Sequence, residues 1–329
     1  MRKLASIQRI KELHPIENAD AIERATVLGW QLVVKRGEFA VGDLCVYCEI
    51  DSLLPERPEF EFLKARGMRI RTVRLRGQIS QGICFPLSIL PEGTSIVEDA
   101  DVTELLGIVK YDPPLPANLA GVAKGLFPSF IPKTDETRVQ VLQAQLDKYA
   151  GMKFFVTEKL DGTSVTFYLK DGVFGACSRN LDLMETADNS IWNWARANDL
   201  EAKLASVGVN IALQGEMIGE GVQGNKYKLR GQHVFFFNAF DIDGFRYFDF
   251  AEMGELLGRL GLQQAPVLET DFSLVNDIPA LVAKAGGHSV LHPVEREGIV
   301  LRPLQEMRDP ELGRVSFKAI SPEFLLKYE

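Results

Sequence analysis

The sequence predicts an α+β chain in two unequal parts. A small β-barrel comes first, followed by a larger domain of largely antiparallel sheets flanked by helices. Three observations predict this. Up to about Asp112 the apolar runs are short and broken by Gly29, Gly37, Gly42, Gly67, Gly77, Gly82 and Gly93, as in a small barrel. Beyond Lys133, strand-like runs are interrupted by helices without regular alternation, which favours α+β over a doubly wound sheet. Between the two, Tyr111-Asp112-Pro113-Pro114-Leu115-Pro116 reads as a linker, and proline-rich chain continues to Ile131-Pro132. The expected division is 1–120, 121–132 and 133–329, and 329 residues suffice for two cores.

In the first part, Ala25 to Val34 is one apolar stretch and Leu44 to Ile50 another, with shorter ones at Val73 to Leu75 and Ile83 to Phe85. In the second, Thr134-Asp135-Glu136 opens a helix with acids in its first turn. Val139, Leu142, Leu146 and Tyr149 continue it at helical spacing, and Gly151 stops it. Lys153 to Glu158 and Val165 to Leu169 alternate as strands around the turn signal Asp161-Gly162, a hairpin reading. A helix runs through Ile191 to Val207. Val209 to Gly215 is a strand ending in Glu216-Met217-Ile218-Gly219, and Val234 to Ile242 is an aromatic strand. Helices follow at Phe250 to Leu260 and Asp277 to Ala285. Glu297 to Arg302 and Arg314 to Lys318 are strands, and Ser321-Pro322 caps a closing helix to Tyr328.

Composition sets bounds on function. With 46% hydrophobic and 25% charged residues the chain reads as a soluble globular protein, and its net charge of -8 excludes a globally basic nucleic-acid binder. One local run departs from that balance. Lys64, Arg66, Arg69, Arg71, Arg74 and Arg76 stand together with no acid among them. If extended, Arg69 and Arg71 share a face, as do Arg74 and Arg76. Such a run is either a solvated strand face or a groove that tracks phosphates. The four cysteines are too scattered for a disulfide framework, and Cys45 and Cys48 point to opposite faces of a strand, so buried reduced thiols are expected. The N-terminus lacks the apolar core of a signal peptide and no run approaches a membrane span, so a cytoplasmic location is expected.

Two apparent motifs are set aside. Gly219-Glu220-Gly221-Val222-Gln223-Gly224 fits a dinucleotide fingerprint, but the basic run Asn225 to Gly231 after it does not read as the helix that fingerprint needs. His288 and His292 are four apart, but Gly286-Gly287 and Pro293 argue against one helix holding both on a metal.

The stretch with most chemistry is Thr157-Glu158-Lys159-Leu160-Asp161-Gly162-Thr163-Ser164, which mounts a lysine at a strand end. Lys-x-Asp-Gly alone is a common hairpin tip. Here it heads an ordered series: Lys159-x-Asp161-Gly162, Ser178-Arg179, Gly215-Glu216-x-x-Gly219, Phe240-Asp241-Ile242, Glu297-Gly298-Ile299-Val300 and Ser316-Phe317-Lys318. This series, over roughly Lys133 to Glu329, resembles the covalent nucleotidyltransferases, the superfamily of polynucleotide ligases and RNA capping enzymes. It most closely resembles the ATP-dependent RNA ligases. Pro132-Lys133-Thr134-Asp135-Glu136-Thr137-Arg138 and the run Arg74 to Gly82 are similar to the nick-sealing type known from Deinococcus, in which an OB-fold precedes the ligase domain.

The resemblance implies ATP and Mg2+ or Mn2+ as cofactors and nicked duplex RNA or an RNA/DNA hybrid as partner, with no membrane and a monomeric protein. It implies that Lys159 attacks the α-phosphorus of ATP and carries AMP. It puts Glu158 on the adenine edge, Phe240 on its face, Arg179 and Glu216 near the ribose, and Glu297 near the metal or the lysine. Val300 would line the nucleotide site, while Arg302 and Lys318 would hold phosphates. Positive charge from Lys318 or a divalent metal would favour the neutral amine of Lys159. Arg69, Arg71, Arg74 and Arg76 would hold the nucleic-acid backbone. Three departures stand out: Ser316 where many relatives have lysine, Arg302 where some have lysine, and Ser164 where some have asparagine. The alternatives are an ATP-dependent DNA ligase, a GTP-dependent capping guanylyltransferase and a non-catalytic RNA-binding protein on the same fold. The sugar at the 3′ end, the labelling nucleotide and the intact Lys159, Glu216 and Glu297 discriminate them.

Overall fold

The computed structural model describes residues 3–111 and 123–328, so the linker after Tyr111 and the expected boundary at 120 lie outside the described residues. The first part is built on a curled antiparallel sheet ordered Trp30–Lys35, Ala19–Val27, Ala5–Ile16, Leu44–Cys48, Ile83–Phe85. Its long central strand serves two partners. Ala5 to Arg9 pair with Leu44–Cys48, and from Ile10 onward the strand pairs with Ala19–Val27. The register shifts between Ile10 and Glu12, where a bulge bends the strand and curls the sheet.

The stretch Ala25 to Val34, expected as one run, is instead two strands joined at Leu28-Gly29. Leu28 takes φ 53°, and the Gly29 amide donates to the Gln140 carbonyl at 2.8 Å. A Cβ on Gly29 would sit 2.8 Å from that carbonyl oxygen, so only glycine lets this hairpin tip touch the second part. Trp30, Tyr47 and Phe60 fill the core, and Ile320, Phe324 and Leu325 from the far end of the chain complete it. All four cysteines are buried and unbridged.

Two sheets make the second part. One runs Ala123–Leu126, Leu181–Leu183, Val173–Cys177, Thr163–Lys170, Ile211–Gly219, Gln232–Asp241, Arg246–Tyr247. Residues 123–126, expected as irregular connection, therefore form its edge strand. The other runs Thr137–Arg138, Phe317–Ile320, Gly298–Pro303, Lys153–Lys159, Val267–Ser273, antiparallel except for the first pair. Helices Ser190–Ala197 and Phe250–Leu260 close the core under the first sheet. Helices Gln143–Tyr149 and Ile278–Ala285 close the core under the second. Among the described residues no helix is long and apolar enough to cross a membrane.

Several expectations change. Lys153–Lys159 and Thr163–Lys170 are not a hairpin: they belong to different sheets, and Leu160-Asp161-Gly162 crosses between them. The helix expected from Thr134 begins only at Gln143. Thr137-Arg138 instead pair in parallel with Phe317-Lys318, a tertiary pairing that overrides helix propensity. The helix expected over Ile191 to Val207 breaks at Asn198-Asp199, where Asp199 is left-handed. Glu216 lies inside its strand, which continues to Gly219, and Arg314 to Lys318 divides into Gly313–Arg314 and Phe317–Ile320. Around Gly224 the chain makes a single 3-10 turn, Gln223–Asn225, and the basic run after it is not a helix, as expected. Phe250–Leu260 and the closing helix Pro322–Tyr328 form where expected.

Candidate active site

Strand ends from both sheets line a cavity of about 320 Å³. Lys159 is the last residue of its strand and pairs with Gly298, which brings the preceding Glu297 alongside it. Lys159 Nζ donates to Glu297 Oε1 at 2.6 Å. Across the cavity, Glu216 accepts from the Gly162 amide at 3.1 Å. A Cβ at Gly162 would meet the Met217 carbonyl oxygen at 2.2 Å, so glycine is needed for this crossing.

Charge is organised in two layers. Burial pulls the Lys159 ammonium down, but Glu297 and Glu216 outweigh it and its pKa is raised. The expectation of a neutral amine is thus reversed, because the nearest charges are carboxylates and Lys318 is turned to Asp135. Burial raises Glu216 to about 8 against the pull of Lys159. Lys318, lowered to about 8 by burial, pairs with Asp135 at 3.0 Å. Asp135 also faces Lys110 at 3.2 Å and Arg179 at 3.8 Å. Burial works against its charge, yet these cations, Lys318 foremost, hold it well below the usual carboxylate range.

Glu158 is buried. Its Oε2 accepts from the Val290 amide at 3.0 Å, and its Oε1 has no hydrogen-bond partner among the described residues. Burial raises its pKa. Glu297 Oε2 is likewise buried without a partner among the described residues. A buried carboxylate oxygen left open in a cavity is costly unless a ligand completes it. Among the described residues no three His, Cys, Asp or Glu side chains stand together as a metal cluster.

The cavity gathers Glu158, Lys159, Arg179, Glu216, Val300, Arg302 and Lys318, with Glu297 bonded to Lys159. Phe240 is elsewhere. It is fully buried, edge-on to Phe245 and Tyr247 at centroid distances of 5.3 and 5.0 Å. Phe237 lines the cavity in its place. The cause is a bulge: Gln214 pairs with Asn238 but Gly215 with Phe236, so Phe237 is an extra residue turned out of the ladder. Reading Val234 to Ile242 as a regular strand could not reveal it.

Arg302 does not offer its guanidinium to the cavity. It is 2% exposed and donates to Ser316 Oγ at 3.0 Å, Phe237 O at 2.7 Å and Glu136 Oε1 at 2.7 Å. Ser316, seen in sequence as a missing lysine, is the acceptor for that arginine. Asp135 and Glu136 are site residues that the sequence reading placed on a helix. Their sequence signals were two adjacent acids ahead of the apolar run and their place in the run Pro132 to Arg138 that carries the family resemblance.

The N-terminal arginines separate in space. Arg69 turns inward, donating to Asp51 at 2.7 Å beneath the Tyr111 ring at 4.0 Å, so it is not a surface phosphate ligand. Asp51 also accepts from Arg138 at 3.1 Å. Arg74 pairs with Glu323 of the closing helix at 2.6 Å, while Arg71 and Arg76 are exposed. The run has no acid of its own, but the fold brings Asp51 and Glu323 to it from other positions.

Residues 4–87 match the family model of an OB-fold domain and residues 152–320 that of RNA ligase. No curated protein matches the chain. Solved structures do. A lysine-to-alanine variant of Naegleria gruberi RNA ligase with ATP and manganese is 43% identical, with 98% of each chain covered and a TM-score of 0.91. The same organism's RNA ligase with pyrophosphate is 43% identical at a TM-score of 0.90, covering 99% of this chain and 98% of that one. A lysine-to-methionine variant with AMP and manganese is 43% identical, covers 98% of both chains and superposes with a TM-score of 0.91.

Proposed function

This chain belongs to the RNA ligase family, and from that premise we propose that it is an ATP-dependent ligase sealing 3′-hydroxyl/5′-phosphate nicks in duplex RNA or RNA/DNA through a lysine–AMP intermediate. The observation that carries the reading is Lys159 Nζ, held at a strand end in a nucleotide-sized cavity beside Glu297. In the first step the neutral amine attacks the α-phosphorus of ATP, a P–N bond forms and pyrophosphate leaves. The RNA 5′-phosphate oxygen then attacks that phosphorus, breaking the P–N bond. Last, the 3′-hydroxyl attacks the 5′-phosphate and AMP leaves.

Glu158 Oε1, buried and open, suits an acceptor for the adenine amino group. Phe237 replaces Phe240 as the base platform. Phe237→Ala should cost about 1–3 kcal/mol of ATP binding, the usual worth of a base–aromatic stack. Phe240→Leu should leave ATP affinity unchanged. Equal affinities for Phe237→Ala and wild type would remove Phe237 from the site. Arg179 and Glu216 face the sugar side, and Lys318, released from Asp135, serves the phosphates.

Glu297 Oε2, with the phosphates of the nucleotide, fits Mg2+ or Mn2+, which is commonly bound through one or two carboxylates plus substrate phosphates. Such an ion supplies charge neutralisation in each in-line displacement. Its presence beside Glu297 also favours a neutral Lys159, the reverse of the ion pair's effect.

The division into a nucleic-acid-binding barrel over 1–120, a connection over 121–132 and an adenylyltransferase part over 133–329 belongs to this reading, with the closing helix packed into the barrel's core. Arg71, Arg74 and Arg76 remain on the RNA-facing side, without Arg69. A location in the reducing cytoplasm fits the four buried free thiols, and a monomer belongs to the same reading. The nick-sealing subtype is tested with nicked duplexes differing only in the terminal sugars. Under single-turnover conditions a ribose 3′ end should seal fast and a deoxyribose 3′ end stall, since the 2′-hydroxyl and A-form geometry align the attacking oxygen. Equal rates would leave a DNA ligase.

A further inference from the structure

The loop between strands Ile211–Gly219 and Gln232–Asp241 carries the glycine pattern that nucleotide binding did not explain. Its backbone is tightly specified. Gly219, Gly221, Gly224 and Gly231 all have positive φ, and so do Gln223, Asn225 and Lys228. A Cβ on Gly219 would lie 2.2 Å from the Gly231 carbonyl oxygen, so the loop base closes only on glycine. Inside it, the Asn225 side chain donates to the Leu229 carbonyl at 2.8 Å and accepts from the Leu229 amide at 3.0 Å. This wiring presents two consecutive side chains to the crossing that follows Lys159. Tyr227 Oη accepts from the Asp161 amide at 2.8 Å. Lys226 Nζ pairs with the Asp161 carboxylate.

Neither contact is a loose surface pair. Tyr227 is 3% exposed and packs in one apolar cluster with Leu160, Ile218, Phe235 and Ala265. Lys226 is 19% exposed, with its ammonium 5.2 Å from the Phe324 ring centroid and 4.9 Å from that of Tyr328 on the closing helix. Each residue of the crossing is thus held separately: Leu160 by packing, Asp161 by the loop, and Gly162 by the Glu216 carboxylate. The span begins at Lys159, the last residue of its strand, whose side chain lines the cavity. A nucleophile must reach in-line distance of its target, and displacement by about 1 Å can cost about a hundredfold in rate.

We infer that Lys226 and Tyr227 are positioning residues for adenylation of Lys159, locking Asp161 so that the lysine amine is aimed into the cavity. The inference rests on the ligase reading and adds to it a task for a loop outside the recognised series. Only the step in which Lys159 attacks requires that aim. Phosphodiester formation from an already activated 5′ end does not.

The test compares Lys226→Met, Tyr227→Phe and Lys226→Arg with wild type in two assays. In the first, AMP transfer from labelled ATP to the protein is timed at saturating ATP. In the second, a nicked duplex carrying a preformed 5′-adenylate is sealed without ATP. The Met and Phe variants should lose about ten- to a hundredfold in the first assay, with little change in the ATP concentration for half-maximal rate. They should match wild type in the second, and Lys226→Arg should recover much of the loss. Equal losses in both assays would mean a general structural role and overturn the inference, as would wild-type adenylation by Lys226→Met. A wild-type protein that takes no AMP would instead sink the ligase reading.

Discussion

In the Lys159→Ala variant, incubation with labelled ATP and magnesium should leave the protein unlabelled, while wild type gains one AMP that survives base and is released by acid. The expected effect is complete loss, because no other amine replaces Lys159. Lys318, the other lysine in the cavity, is held by Asp135 on the phosphate side. The ion pair with Glu297 adds a pH signature. Since the Lys159 pKa is raised, the reactive neutral amine is scarce near neutrality and grows with pH. The adenylation rate should therefore climb from about pH 6 to about pH 9, with no fall on the alkaline side from this group. AMP on another residue of Lys159→Ala would break the assignment. A rate that falls as pH rises would remove the ion pair as its control.

Arg302→Ala should be the most destabilising single change in the site. Arg302 is fully buried and joins Glu136, Ser316 and the Phe237 carbonyl in one fork. Removing it leaves the Glu136 carboxylate buried without its partner, which costs about 3–5 kcal/mol when a buried pair loses one member. Arg302→Lys should recover only part of this, because an ammonium cannot reproduce a planar three-way fork. The linkage has a definite sign. Burial opposes the Glu136 charge, but Arg302 and Lys318 prevail and lower its pKa to about 2 from an ordinary 4.5. A folded pKa below the unfolded one means that the pair's contribution is present above about pH 4.5 and is lost as pH falls toward about 2. Urea unfolding of wild type should show that acid-side loss, and Arg302→Ala should show less of it, because Lys318 still acts on Glu136 and Asp135. A variant of wild-type stability with weakened ATP binding would return Arg302 to the phosphates.

The contrast between Phe237 and Phe240 shows where sequence reading stops. Both lie in one aromatic run with identical local character. A one-residue bulge opposite Gln214-Gly215 decides which faces the cavity, and a bulge is a property of pairing with another strand. Asp135 and Glu136 were misplaced for a similar reason. Local propensity favoured a helix, while pairing of the following Thr137-Arg138 with Phe317-Lys318 and charge attraction of Asp135 to Lys318 and of Glu136 to Arg302 kept them out of one. Likewise the arginine run was legible as a run, but its counter-charges, Asp51 and Glu323, come from elsewhere in the chain.

By itself the sequence determined the α+β class, the barrel ahead of the larger domain, and the ordered series around Lys159, Glu216, Glu297 and Lys318. These follow from apolar periodicity, glycine spacing and the order of short motifs, all of which are local properties of the chain. Only the tertiary structure decided that the turn after Lys159 crosses between two sheets instead of closing a hairpin, that Arg302 is a buried strut, and that the closing helix completes the N-terminal core. Each of these depends on which distant backbone or carboxylate a residue meets. That partner is chosen by burial and pairing across the fold, and nothing in the flanking residues encodes it.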